Sequence, residues 1–204
     1  MRKLLLPTFR FPSGTVPALT LLLALLAGCV HPKTTDPYAP SSEAARDTQK
    51  AIALNNQAMP LMDRGDADSA GRAEELLRQA LAADLYFGPA HNNLGVLYLQ
   101  RGKYYEAAGE FEWARRLLPG HPDPRVNLAM TLESAGRADE AIATYRTALE
   151  IYPDYAAAAQ GLARLQLKTG KPDERTPALL RVVAMQGDTA EWREWARAEL
   201  SRTR

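Results

Sequence analysis

Asn93-Leu94-Gly95 and Asn127-Leu128-Ala129 stand 34 residues apart, and the same interval relates Gly102 to Gly136, Ala107 to Ala141, Phe111 to Tyr145, Ala114 to Ala148 and Pro119 to Pro153. A shared period over that many positions marks an internal repeat. Each unit reads as two helices. Leu94, Gly95 and Tyr98 form one apolar stripe at spacings of one, three and four. Gly102 and Gly136 follow the first helix, where a left-handed turn favours glycine. Ala107 and Ala114, with Ala141 and Ala148, lie seven apart on the second helix and let two helices approach closely. Pro119 and Pro153 end it, because proline lacks the amide that another turn would need.

A 34-residue helix-turn-helix unit resembles the tetratricopeptide repeat (TPR). The resemblance implies an all-α fold: a right-handed superhelical solenoid of about four hairpins plus a C-terminal capping helix. Residues 88–121 and 122–155 match best. Residues 156–187 form a degenerate unit. Leu162-Ala163 and Gly170 keep the period, but Arg175 stands where a small Ala belongs, and Pro172 and Pro177 intrude. Its second helix is expected to pack less closely.

A further unit, about 51–87, precedes these. Ala73, Leu77 and Ala80 match the second-helix stripe. Its first helix matches if three extra residues sit in an Asp66–Gly71 loop. Gly65 then takes the turn position and Ala58 the small one, with Pro60 inside the helix. At the other end, Asp188 or Thr189 can start a helix running to about Arg202. Trp192, Trp195, Ala196 and Leu200 share a face of it, as a solenoid lid requires. The TPR domain as a whole spans 43–204.

The first 28 residues differ in kind. Arg2, Lys3 and Arg10 precede an apolar run from Val16 to Ala27, with no acid among them. This is the pattern of a secretory signal, too short for a stable spanning helix. Cys29, the sole cysteine, follows in Leu26-Ala27-Gly28-Cys29. That sequence resembles the lipobox of bacterial lipoproteins. The resemblance implies cleavage before Cys29, acylation of its thiol and a membrane anchor. Val30 rather than Asp follows, which by the same resemblance favours the outer membrane, with the chain facing the periplasm. Residues 29–42, with Pro32, Pro37 and Pro40, read as an extended tether.

Removing the signal takes away three cations and leaves 22 basic and 24 acidic residues. Nucleic acid recognition needs phosphate-neutralising cations on one face, so that function is excluded.

In the TPR family the first helices line a concave face that holds a peptide or helix. By resemblance the lining comes from positions 2, 5, 6, 9, 12 and 13 of each repeat. Position 6 gives Asn56, Asn93 and Asn127, an amide ladder that stops at Gly161. Asn92 at position 5, Val96 and Met130 at position 9, and Leu99 at position 12 complete the expected peptide-binding set. An amide side chain both donates and accepts, so it can hold a peptide backbone or bond to neighbouring helices. The Lys and Arg set with which chaperone-binding members grip a terminal carboxylate is missing.

No catalytic pattern is present. His31, His91 and His121 are scattered, no metal-ligand spacing occurs, and no glycine-rich phosphate loop appears. The expected function is therefore a lipid-anchored, non-enzymatic adaptor for a protein partner in envelope assembly, with no cofactor. The architecture resembles both type IV pilus pilotins, which escort a secretin, and adaptors of cell-wall hydrolases or proteases. A homodimer formed by packing terminal helices is the structural alternative.

Overall fold

The computed structural model describes residues 46–202. The signal, the tether and Cys29 lie outside them. Among the described residues the chain forms helices α1 (Thr48–Met62), α2 (Ala67–Ala83), α3 (Gly88–Gln100), α4 (Tyr104–Leu117), α5 (Asp123–Ser134), α6 (Ala138–Ile151), α7 (Ala156–Lys168), α8 (Thr176–Gln186) and α9 (Ala190–Arg202), and no strand. They pair as antiparallel hairpins α1–α2, α3–α4, α5–α6 and α7–α8, with α9 packed on α8.

Each hairpin turns at a glycine of positive φ: Gly65 at 71°, Gly102 at 71°, Gly136 at 79° and Gly170 at 67°. In the three later hairpins the glycine amide donates to the carbonyl three residues back, and the next amide reaches five back, as Lys103 does to Tyr98. These bonds satisfy carbonyls that the helix end would leave unpaired.

The small residues of the stripe set the spacing. Ala73, Ala80, Ala107, Ala114, Ala141 and Ala148 are wholly buried. Phe111 and Tyr145 fill the intervening space and are also buried. Gly95 admits Phe111: a Cβ there would stand 2.7 Å from a ring carbon.

Stacking gives the array its inner side. Successive first helices touch one another, α1 with α3, α3 with α5 and α5 with α7, while α2, α4 and α6 each pack between two first helices and α8 packs between α7 and the cap α9. Helices on the inside of a bend lie closest together, so the first helices line the concave face.

The first hairpin departs from the sequence reading. The three extra residues are not a loop. They lengthen α2 to 17 residues against 14 in α4 and α6. The Asp66 carboxylate accepts from the Ser69 amide at 2.8 Å and so starts the helix directly after the turn. Pro60 stands in the last turn of α1, which continues to Met62.

In the fourth hairpin, α8 has only 11 residues and begins with Pro177 in its first turn. Asp173 organises the approach. Its carboxylate accepts from Gln166 Nε2 at 2.7 Å, from Arg146 at 2.8 Å and from the Arg175 amide at 2.9 Å. Between α6 and α8 a cleft of about 450 Å³ remains, floored by Leu149, Leu162, Leu179 and Val182.

Helix α9 closes this end. Ala196 is buried, and Trp192, Trp195 and Leu200 pack on the core. The two indoles meet edge to face with centroids 5.4 Å apart.

Candidate functional site

The concave face is laid out by pairs of side chains that bridge neighbouring first helices. Asn93 Nδ2 donates to Asn55 Oδ1 at 2.9 Å, and Asn127 Nδ2 donates to Asn92 Oδ1 at 3.0 Å. Each bond joins position 6 of one repeat to position 5 of the repeat before. The bridge between α5 and α7 is ionic instead. Arg164 forks onto Glu133 with both terminal nitrogens, at 2.9 and 2.6 Å.

Asn92, Asn93 and Asn127 are half-buried. Each keeps amide capacity that no protein group uses among the described residues. Asn93 and Asn127 retain a second N–H and the carbonyl; Asn92 retains its N–H pair. Val96 and Leu99 are partly buried against the core, and Met130 is 45% exposed. Asn56 is exposed and outside the ladder, because Asn55 takes its place. Asn55 is buried and has no free role toward a ligand.

Gly161 ends the amide ladder for a steric reason. A Cβ on Gly161 would lie 2.4 Å from two ring carbons of Tyr145 and 2.7 Å from its hydroxyl. Burial raises the Tyr145 phenol to about 12, and the nearby Glu133 carboxylate adds to the shift, so it stays protonated. The Arg164 guanidinium of the ionic bridge stands beside its hydroxyl and partly offsets that rise.

Gly161→Ala is therefore expected to destabilise. Alanine gains about 1 kcal/mol of helix propensity, but overpacking against a buried ring costs about 1–3 kcal/mol. Gly109, mid-helix in α4 with open space around its Cβ position, is the control. Gly109→Ala should stabilise by about 0.5–1 kcal/mol. Urea unfolding of both variants checks the opposite signs.

Among the described residues, His91 and His121 take no part in the concave face. His121 is exposed. His91 is 3% exposed and lies between the Glu110 carboxylate at 2.7 Å from Nδ1 and the Leu85 carbonyl at 2.9 Å from Nε2. Trp113 stacks on its ring at 5.6 Å. This cluster fastens the α2–α3 connection to α4, and every polar atom of the ring is engaged.

Known proteins bear on this arrangement. Two family models described as tetratricopeptide repeat match, one at residues 56–122 and 92–156 and the other at 132–194. A TPR repeat-containing thioredoxin of Arabidopsis thaliana is 33% identical over 45% of this chain and 14% of its own length. The Superkiller complex protein 3 of Mus musculus is 35% identical over 47% of this chain and 6% of its own. The chain thus spans a small part of either relative.

Among solved structures, the first TPR of Spaghetti (RPAP3), bound to an HSP90 peptide, superposes with a TM-score of 0.57 at 19% identity. It covers 62% of this chain and 98% of that one. A crystal structure of MamA gives 0.59 at 22% identity, over 75% of this chain and 83% of that one. At these identities the likeness is one of fold. The matched family models run from the first hairpin into the cap, and the chain belongs to the tetratricopeptide repeat family.

Proposed function

We propose that this chain is a non-catalytic scaffold that binds an extended segment of a partner protein along its concave face, at a membrane surface to which an acylated Cys29 holds it. One observation bears most of this reading. Asn93 is fixed by its bond to Asn55, and Asn92 and Asn127 by their bond to each other, yet all three keep unused donors or acceptors beside the apolar Val96, Leu99 and Met130. Amides held in this way can pair with a peptide backbone, and a flexible methionine suits an adaptable apolar contact.

Two neighbouring structures, the first and second TPR domains of RPAP3, hold HSP90 and HSP70 peptides. Those peptides end in acidic residues. Here Arg164 already pairs with Glu133, so a peptide of that charge is not the proposed ligand.

A photo-crosslinking amino acid at Met130, placed in cells and followed by identification of the attached protein, tests the scaffold reading. The crosslink should concentrate on one envelope protein. A label spread over abundant proteins would count against it. Asn93→Ala combined with Asn127→Ala should weaken binding of that partner about tenfold, at about 0.5–1.5 kcal/mol for each hydrogen bond lost. The helical circular dichroism should be unchanged.

The anchor is tested separately. Among the described residues no helix is long and apolar enough to cross a membrane. Two or three acyl chains on Cys29, at about 0.8 kcal/mol per buried methylene, would supply the proposed attachment. Cys29→Ser should move the protein from the outer-membrane fraction to the soluble one. Retention in the membrane would refute the anchor.

A further inference from the structure

Both ring nitrogens of His91 face acceptors. Nδ1 lies 2.7 Å from the Glu110 carboxylate of α4, and Nε2 lies 2.9 Å from the Leu85 carbonyl of the α2–α3 connection. Neither an ionised carboxylate nor a carbonyl donates, so each contact needs a hydrogen on the ring. A neutral imidazole carries one N–H and one lone pair. With a single proton, one of the two contacts sets lone pair against lone pair. The imidazolium donates from both nitrogens and satisfies both.

The surroundings suit a charged ring. His91 is 3% exposed, so water does not solvate the charge and protein groups must. Glu110 supplies the counter-charge, and among the described residues its carboxylate makes no other ion pair or hydrogen bond. Trp113 lies nearly parallel to the ring, at 14° with centroids 5.6 Å apart, and offers the negative face of its indole to a cation. Two further titratable groups stand close by. Asp84 precedes Leu85 in the connection and is neutralised by Arg46. Tyr98 of α3, in the field of Glu110, has its hydroxyl held by Arg78 and Glu74 of α2.

We infer that His91 and Glu110 form a proton-operated latch between the first and second repeats. With two ring protons the histidine binds the Leu85 carbonyl to α4. When one proton leaves, the remaining N–H stays with the carboxylate, because the charge-assisted bond is the stronger. The Leu85 contact is then lost. That carbonyl accepts from no backbone amide among the described residues, so the ring is its hold on the array. Histidine changes charge between about pH 5 and 8, so the latch is closed on the acid side and open on the alkaline side. This is opposite in sense to a carboxylate held ionised by its partners.

Amide hydrogen exchange on the full chain reads the latch at Tyr86 and Phe87, whose amides donate to the Asp84 carboxylate and carbonyl within the connection. Corrected for intrinsic exchange, their protection should fall about tenfold from about pH 5.5 to about pH 8.5, the loss of one hydrogen bond to a charged group. The Arg137 amide, bonded to the Leu132 carbonyl in the turn of the third repeat, should keep its protection. Glu110→Gln separates the charge from the contacts. Its amide donates to Nδ1, so a neutral ring keeps its N–H for Leu85 and both bonds stand. In that variant the connection should be held equally at both pH values. His91→Gln, which has no titrating group there, should also show no change with pH. Equal protection of the wild type at the two pH values, or a tenfold loss that persists in Glu110→Gln or in His91→Gln, would overturn the inference.

Discussion

Phe111→Ala is expected to destabilise the array by about 3–5 kcal/mol, the range for removing a buried aromatic ring. The ring is fully buried in α4 and lies against Gly95 of α3, at the place where the two helices of the second repeat approach most closely. A cavity opened there cannot collapse easily, because the hydrogen bonds of the Gly102 turn hold the two helices at fixed separation. Units of a solenoid are stable only through their neighbours, so the loss should spread to the first and third repeats.

The companion variants identify the cause. Trp113→Ala, two residues along the same helix, removes a larger ring that is 41% exposed and should cost only about 1 kcal/mol, mainly the stacking on His91. Phe111→Leu should be improved by adding Gly95→Ala, since the new methyl fills space the ring vacates. Urea unfolding followed by circular dichroism measures all four. A Phe111→Ala loss no larger than that of Trp113→Ala would mean that Gly95 is not shaped around the ring.

The period was legible because each of its elements has a local cause: positive φ at the glycine, small side chains at the crossing, proline past the end. The fate of Asn55 was not legible by the same route. Aligning on Gly65 and Ala58 assigns position 6 to Asn56, and a ladder read as one position per repeat looks no further. The bond runs from position 6 of one repeat to position 5 of the one before, so the partner of Asn93 is Asn55. The adjacent pair Asn92-Asn93 held that signal, since one asparagine faces each way.

The extended α2 was missed for a different reason. Asp66-Ala67-Asp68-Ser69 has the composition of a loop, but a carboxylate capping the Ser69 amide converts those residues to a first helical turn. Gly161 was visible as the end of the ladder. Its cause, the ring of Tyr145 sixteen residues earlier, is a packing fact that no single repeat displays.

Asp84→Ala is expected to cost about 2–3 kcal/mol near neutral pH and much less in acid. Asp84 follows α2 with its side chain fully buried. It accepts from Arg46 Nε at 2.8 Å and Nη2 at 3.1 Å, from the Thr48 hydroxyl at 2.7 Å and from the Tyr86 amide at 3.0 Å. Those bonds tie the start of α1 to the α2–α3 connection, so the first hairpin closes on itself through one carboxylate. Alanine would leave the Thr48 and Tyr86 donors unpaired. Arg46, about a third exposed, can turn to water, which holds the loss below that of a fully buried ion pair.

The pH dependence follows from the direction of the shift. Burial alone would raise the Asp84 carboxyl, but Arg46, Thr48 and Tyr86 outweigh burial and hold it below the usual carboxylate range. A group depressed by folding contributes stability that is complete above its unfolded pKa and is lost as pH falls through the folded one. The gap between wild type and Asp84→Ala should therefore be full at about pH 7 and shrink steadily below about pH 4. Glu74 and Asp173, also depressed by their arginine partners, contribute to the acid sensitivity of both proteins alike and cancel in the difference. Asp84→Asn, which keeps an acceptor but no charge, should lie between the two at neutral pH and should lose this pH dependence. Unfolding free energies measured across that range decide it: a wild-type minus Asp84→Ala difference that stays constant into acid would show that neutral hydrogen bonds, and not the charge on Asp84, hold the first repeat to the array.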